Sequence, residues 1–188
     1  MQQAVPVGVG AMAAILGLDF VTVQSLASEA QAKGVCQAAN DNDPSQVVIS
    51  GEKSAVELAI DLAKNSGAKR AIMLPVSAPF HCELMAPAAE KMSIELEKTK
   101  IEKPIIPIVS NVSAQAISDP AEIKELLVSQ VTGSVRWRES ILWMAKNSVD
   151  EIWEIGSGKA LSGMIRRIDK NISLKNISSP EDIGTVNF

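Results

Sequence analysis

Hydrophobic residues recur at strand and helix spacing through the first 76 residues. Short apolar runs predict four strands: AMAAIL at 11–16, VCQAAN at 35–40, QVVIS at 46–50 and RAIMLPV at 70–76. The middle two flank DNDPS, which we predict to form a five-residue hairpin loop. Apolar residues at i, i+3, i+4 and i+7 predict a helix that Asp19 caps and Gly34 ends, and a second helix that ends at Gly67. The resulting βαββαβ order is that of a small ferredoxin-like subdomain, assigned to residues 9–76.

Residues 77–188 show a different pattern, in which helices and strands alternate. Pro87 suits the first turn of a helix that runs to about Lys98, and Pro120 opens another that runs through Gln130. We also predict strands at 104–110, 151–155 and 171–177, helices at 140–146 and within GSGKALSGMIRRI (156–168), and a loose tail. Such alternation implies part of a parallel α/β layer with too few strands for a doubly covered sheet.

Composition narrows the classes of function. The formal net charge is −4 and the pI is about 5.1, which argues against a general nucleic-acid binder because that needs a concentrated basic face. The two cysteines, Cys36 and Cys82, are too few for a disulfide framework and lack the spacing of a zinc site. We therefore expect the protein to be located in a reducing cytoplasm. No segment has the length and apolarity of a membrane span, so we expect no membrane association.

The single histidine, His81, lies in the segment VSAPFHCELMAP. Local context leaves three roles open: a satisfied core histidine, a metal ligand or a catalytic base. A metal role is the least favoured, since no obvious partner ligands accompany it. Cys82 is predicted to be a small buried thiol rather than its nucleophile, because neighbouring side chains point to different faces.

Two other features have a structural and a functional interpretation. GSGKALSG is a Gly-rich turn before a helix, and we favour a structural tight turn over a phosphate loop because Ala160 breaks the Walker A pattern. Four basic residues accompany the last long helix: Lys159, Arg166, Arg167 and Lys170. They are predicted to form a solvated face, and the functional alternative is docking of an acidic partner.

Six segments together resemble malonyl-CoA:acyl-carrier-protein transacylase. In chain order they are GAMAAILGLD, NDPSQVVISG, LPVSAPFHCELMAPAA, SNVSA, VRW and EIGSGKALSGMIRR. The resemblance runs from Met1 almost to the C-terminus. It implies a complete ferredoxin-like βαββαβ subdomain, followed at 77–188 by the C-terminal part of an α/β-hydrolase-like catalytic subdomain whose N-terminal part is missing.

The resemblance also implies roles for individual residues. His81 would be the general base that takes the proton of a serine in a Gly-His-Ser-x-Gly elbow, and the backbone carbonyl of Gln130 would orient its ring. Phe80 would crowd an α-methyl group and so favour malonyl over branched substrates. Four further positions are implied to bind substrate: Asn40 and Asn42 in the hairpin over the cleft, and Met1 and Ala160 near the acyl pocket.

The chain departs from the family in lacking the nucleophile. None of its 188 residues forms a Gly-x-Ser-x-Gly elbow, and the family's Gly-Gln-Gly-Ser-Gln segment and malonyl-binding arginine are also absent. The leading interpretation is therefore a fragment of a malonyltransferase of fatty-acid biosynthesis, which by itself we expect to be inactive. Its implied partners are malonyl-CoA, the phosphopantetheine arm of acyl carrier protein and the missing N-terminal half.

Two alternatives remain beside this interpretation. One is an acyltransferase domain of a polyketide synthase, and the other is a truncated, non-catalytic protein that binds carrier protein or CoA. For the two enzymatic interpretations, the resemblance implies neither a metal nor a redox cofactor, because the acyl group is transferred through a serine ester.

Overall fold

The first part of the chain forms one four-stranded antiparallel sheet with two helices. The computed structural model describes residues 1, 4–76 and 78–184. The elements are β1 (Gly10–Leu16), α1 (Phe20–Ala30), β2 (Cys36–Asp43), β3 (Gln46–Glu52), α2 (Lys53–Asn65) and β4 (Arg70–Met73), with a 3-10 helix at Gln31–Lys33. The strand order is β2-β3-β1-β4. The predicted βαββαβ order and its ferredoxin-like arrangement are thus confirmed.

Both faces of this sheet are covered. On one face α1 and α2 pack against the strands around fully buried Ile15, Ile49 and Val23. The opposite face carries a smaller cluster, in which Met12 and Val48 are buried and Phe80 packs against them. The second face is therefore closed by the segment that contains His81, which ties that segment to the sheet by apolar contact.

The second part of the chain contains the remaining elements. They are a 3-10 helix at Glu83–Met85, α3 (Ala86–Lys98), β5 (Ile108–Val109), β6 (Ala116–Ile117), α4 (Pro120–Thr132), α5 (Trp137–Lys146), β7 (Glu151–Ile155), α6 (Ala160–Ile168), β8 (Ser173–Ile177) and α7 (Pro180–Ile183). β5 and β6 form an antiparallel pair, and β7 and β8 form a parallel pair. The mixed α/β class is confirmed, and the division of the chain at residues 76 and 77 stays a prediction.

The five-residue hairpin loop predicted at DNDPS is wrong. β2 extends through Asp43, so that only Pro44 and Ser45 separate it from β3. The Asp43 carboxylate closes the turn by accepting hydrogen bonds from the amide and the hydroxyl of Ser45, at 2.9 and 3.0 Å. Asp41 and Asp43 are buried. The preference of Asp and Asn for turns predicts an exposed loop here instead.

Two predicted strands are shorter than expected. The strand at 70–76 ends at Met73, before Pro75. The strand at 104–110 is reduced to β5, and Ile105 and Ile106 before it are exposed. Proline has no amide hydrogen to donate to a strand ladder, so Pro104 and Pro107 limit the pairing of this segment.

The loose tail predicted after β8 is also wrong in part, because it contains α7. Ser179 and Asp182 form a capping box at the start of this helix, in which each side chain bonds the other's backbone amide. Residues 185–188 lie outside the described part of the chain. Within the described ranges, no helix is long and apolar enough to cross a membrane.

Candidate active site

Residues 78–85 belong to the connection between β4 and α3, and they include His81. Ala78, Pro79 and Cys82 are buried. Pro79 lies directly on β1 at Gly10, where an added Cβ would come within 2.4 Å of the proline ring. Only glycine at position 10 allows this close approach, which sets the depth at which the His81 segment lies on the sheet.

His81 adopts an uncommon backbone conformation. Its φ angle is +60°, in the left-handed region that few residues other than glycine occupy. Such conformations persist where surrounding contacts hold them, and they are concentrated at functional sites. The next residue, Cys82, supplies one of these contacts, since its Sγ donates to the carbonyl oxygen of Pro79 at 3.1 Å.

The imidazole ring of His81 is oriented by the main chain of α4. Its Nδ1 lies 2.8 Å from the backbone carbonyl oxygen of Gln130. Gln130 is two residues from the end of α4, where carbonyl groups have no amide partner within the helix. The helix terminus therefore leaves this oxygen available to the ring.

This contact fixes the position of the proton on the neutral ring. A carbonyl oxygen can only accept, so Nδ1 must carry the hydrogen and Nε2 must carry the lone pair. None of the residues at 1, 4–76 and 78–184 hydrogen-bonds Nε2. The arrangement gives His81 the tautomer that a general base acting through Nε2 requires.

His81 opens onto a cleft of about 300 Å³. Its lining comes from α1 and the 3-10 helix after it, from the start of β2, and from the end of α4 with the loop that follows. The polar contributors are Gln24, Ser28, Gln31, Gln37, Thr132 and Ser134. None of the described residues that line it has a charged side chain. The cleft suits polar, uncharged groups next to the histidine.

Cys82 does not form a catalytic pair with His81. Its side chain is fully buried and its thiol is engaged with Pro79. Burial raises the pKa of the Cys82 thiol, and burial raises that of Cys36 to about 12. Both groups are therefore protonated thiols rather than nucleophilic thiolates at neutral pH, which agrees with the interpretation of Cys82 as a small buried residue.

Phe80 links two hydrophobic clusters. It packs against Met12 and Val48 on the face of the sheet opposite α1 and α2, and against Met85 of the 3-10 helix and Val131 of α4. The residue before His81 thus joins both parts of the chain by apolar contact. Its ring is half-buried, so part of it remains available to a ligand.

The other predicted substrate-binding residues do not line the His81 cleft. Asn40 and Asn42 lie half-buried on β2, beyond the part of that strand that does. Met1 is 52% exposed, and Ala160 is the exposed first residue of α6. The structure does not bring these four together with His81 in one cleft, and their roles stay predictions.

Two buried carboxylates hold β2 to the second part of the chain. Asp41 receives hydrogen bonds from Nε of Arg138 at 3.1 and 2.9 Å, and Asp43 receives one from Nε of Arg167 at 2.8 Å. Burial raises the pKa of Asp41, and the hydrogen bond from Arg138 partly offsets this effect. The backbone of β2 also pairs with Val135. The amide of Asp41 donates to the Val135 carbonyl at 2.9 Å, and the amide of Val135 donates to the Ala39 carbonyl at 2.8 Å.

The sequence does not predict these two ion pairs. The pattern at DNDPS predicts a loop, whereas β2 extends through Asp43. Arg167 is exposed, as expected of a solvated face, and it also pairs with the buried Asp43, which the sequence does not predict. The alternation of Asn40, Asp41, Asn42 and Asp43 is the signal that could have indicated a strand with both acidic side chains on one face.

The Gly-rich turn before α6 is occupied by a side chain of the protein. The carboxylate of Glu154 accepts from the amides of Leu161 and Ser162, at 3.1 and 2.8 Å, and from the Ser162 hydroxyl at 2.6 Å. These hydrogen bonds, led by that of the Ser162 hydroxyl, lower the pKa of Glu154. A carboxylate already fills the anion position at this helix terminus, which supports the structural turn over the phosphate loop.

Metal ligation finds no support around His81 or elsewhere in the part that the structure describes. No group of three or more His, Cys, Asp or Glu side chains there could hold a metal ion. The adjacent Cys82 is buried, and its thiol is bonded to Pro79.

Comparison with known proteins places this geometry in context. No protein-family model matches the chain. The malonyl CoA-acyl carrier protein transacylase of Bacillus subtilis is 46% identical over 184 residues, which are 97% of this chain and 58% of that protein. The acyl-carrier-protein-S-malonyltransferase of Bartonella henselae has a crystal structure that matches with a TM-score of 0.94 at 50% identity, covering 98% of this chain and 59% of that one.

A third match is the structure of a type II PKS acyl-carrier protein in complex with its malonyl-transacylase. It has a TM-score of 0.95 and 39% identity, and covers 98% of this chain and 60% of that one. These findings confirm the resemblance inferred from the six sequence segments. The chain is therefore homologous along nearly its whole length to malonyl CoA-acyl carrier protein transacylases, and it spans about 58–60% of the length of those relatives.

Proposed function

We propose that this chain supplies the general base of a serine-dependent acyltransferase, which moves malonyl from malonyl-CoA to acyl carrier protein in fatty-acid biosynthesis. The observation that carries the proposal is the 2.8 Å contact between Nδ1 of His81 and the Gln130 carbonyl. It directs the basic nitrogen of the chain's single histidine away from the main chain. Homologues over nearly the full chain that bear the malonyl transacylase name support the same chemistry.

The reaction proceeds in two half-reactions. In the first, Nε2 of His81 takes the proton of the serine hydroxyl while the serine oxygen attacks the thioester carbonyl carbon, and the protonated ring then gives that proton to the departing CoA sulfur. In the second, Nε2 takes the proton of the carrier protein's thiol, the sulfur attacks the serine ester, and the proton returns to the serine oxygen. The serine must come from polypeptide outside these 188 residues, which contain no Gly-x-Ser-x-Gly elbow.

Gln130 and Phe80 have distinct roles in this scheme. The neutral carbonyl of Gln130 keeps the ring in one tautomer through both half-reactions. Phe80 adjoins His81 and narrows the acyl site, so a substrate with an α-methyl group is disfavoured by about 1–3 kcal/mol. Asn40, Asn42, Met1 and Ala160 are proposed to contact substrate only when the rest of the catalytic domain completes the cleft.

The proposed chemistry uses no metal or redox cofactor, since protons and the acyl group are the only species that move. The proposed location is the cytoplasm, where both free cysteines would stay reduced. Arg166 and Lys170 line a surface depression with Ile172 and Leu174 and are not paired with Asp43, so they remain candidates for contact with an acidic carrier protein.

A carrier protein of polyketide synthesis is the second candidate acceptor. One matching structure holds a malonyl-transacylase together with a type II PKS acyl-carrier protein. The two candidate functions share the same base and the same acyl donor. They differ only in the carrier that accepts the malonyl group, so transfer rates to the two carriers distinguish them.

Transfer of labelled malonyl tests the proposal. The chain is joined to the upstream part of the Bacillus subtilis relative, and transfer from malonyl-CoA to a phosphopantetheine-bearing carrier protein is measured. Transfer above that of the upstream part alone supports the proposal. A folded fusion that binds malonyl-CoA without forming an acyl ester on its serine would overturn it and favour the non-catalytic binding protein.

A further inference from the structure

The segment around His81 receives a hydrogen bond from an unexpected side chain. Oε1 of Gln37, on β2, accepts from the backbone amide of Glu83 at 2.7 Å. Glu83 follows His81 by two residues and begins the 3-10 helix that leads into α3. The preceding residue, Cys82, makes no side-chain cap to that helix, so Gln37 satisfies an amide that the segment itself leaves open.

Three other hydrogen bonds stay within this segment. Phe80 donates to Ala78, Cys82 to Pro79 and Met85 to Cys82, all within three residues. The Gln37–Glu83 bond instead spans 46 residues, and the bond from His81 to Gln130 spans 49. His81 is thus held between a strand of the first part and a helix of the second.

We propose, on the basis of the function proposed above, that Gln37 is a positioning residue for His81. It holds the amide of Glu83, and through it the left-handed backbone of His81, so that the ring meets the Gln130 carbonyl. A left-handed φ at a residue with a side chain relaxes when its anchors are removed. Gln37 also lines the cleft beside His81, and it acts on the ring through the backbone rather than on the substrate.

The test uses the imidazole nitrogen resonances of the 188-residue chain, in which His81 is the only histidine. Long-range nitrogen–proton spectra report the share of the ring with hydrogen on Nδ1. Gln37→Met keeps the side-chain volume and removes the acceptor. We expect the ratio of Nδ1–H to Nε2–H tautomers to fall about threefold or more, as loss of one net hydrogen bond allows.

Three further variants sharpen the result. Gln37→Glu retains an acceptor of the same shape and should preserve the wild-type tautomer ratio. Gln24→Met changes another glutamine of the cleft lining that is not bonded to the His81 segment, and it should also leave the ratio unchanged. Glu83→Pro removes the donor, at a first helical position after an extended residue where proline is tolerated, and should reproduce the effect of Gln37→Met.

The outcomes separate this inference from the proposed function. An unchanged ratio in folded Gln37→Met or folded Glu83→Pro overturns the positioning role while leaving the function intact. Wild-type protein with hydrogen on Nε2 contradicts the proposed base geometry itself. If both variants fail to fold by circular dichroism, the bond serves folding rather than ring placement, and the positioning proposal is rejected.

Discussion

Oδ2 of Asp43 in β2 accepts a hydrogen bond from Nε of Arg167 in α6 at 2.8 Å, across 124 residues of sequence. The carboxylate is fully buried, whereas the arginine side chain is 49% exposed. Separating the pair therefore costs more free energy at the buried carboxylate than at the exposed guanidinium. The carboxylate cannot reach water, but the guanidinium can.

Removing the arginine should therefore destabilise the protein strongly. Arg167→Met leaves a buried carboxylate without its cation, and we expect the free energy of unfolding to fall by about 3 kcal/mol. The matched control is Arg166→Met, an exposed neighbour outside this pair, which should change it by about 0.5 kcal/mol or less. Urea unfolding measures both, and equal losses would show that the Asp43–Arg167 pair contributes nothing specific.

Substitution of Gln130 should leave the His81 site intact. The ring bonds the backbone carbonyl of residue 130, not its side chain. We expect Gln130→Ala to preserve the Nδ1–H tautomer and to alter the free energy of unfolding by about 0.5 kcal/mol or less. A large shift in the histidine nitrogen resonances would mean that the amide side chain, rather than the helix terminus, orients the ring.

Displacing the end of α4 should have the opposite effect. Gly133 donates its amide to Ser129 and closes the last turn of the helix. Gly133→Pro removes that amide and disfavours helical geometry at Thr132, so the Gln130 carbonyl should move away from His81. We expect the Nδ1–H tautomer to lose its preference in a chain whose far-ultraviolet circular dichroism remains close to wild type. Retention of the preference would contradict this account of the contact.

The Glu154 cap should make stability depend on pH in a defined direction. Hydrogen bonds from Ser162 and Leu161 lower the pKa of the Glu154 carboxyl in the folded protein. Its contribution to the free energy of unfolding is therefore present above the ordinary glutamate pKa and is lost as the pH falls through the lowered value. Wild type should therefore exceed Glu154→Gln in stability at pH 7, and the difference should shrink in acid. A difference that stays constant down to about pH 3, below the ordinary glutamate pKa, would contradict the role of the charge.

Local signals predicted most of the regular structure. Asp19 caps α1 as expected, with its carboxylate accepting from Thr22 at 2.8 Å, and Pro87 and Pro120 lie in the first turns of α3 and α4. The end of β2 was missed because its burial depends on Arg138 and Arg167, which lie about a hundred residues away. No local pattern reveals a partner at that distance.

The candidate site was predicted only through the resemblance. Spacing and composition left the role of His81 open, and Gln130 stood out only as a position matching a family pattern. The carbonyl contact depends on where α4 ends, and the bond from Glu83 to Gln37 depends on how β2 lies against the His81 segment. Both are products of tertiary packing, which a single sequence does not specify residue by residue.

The most direct test of the central claim is malonyl transfer by the His81→Ala variant of the fusion with the Bacillus subtilis upstream part. Cys82→Ala serves as the neighbouring control, since its thiol is buried and not a nucleophile. The account predicts a fall in turnover on the order of 10⁶-fold for His81→Ala, as for loss of a triad base, with transfer retained in the control. Undiminished transfer in folded His81→Ala would contradict the assignment of His81 as the general base.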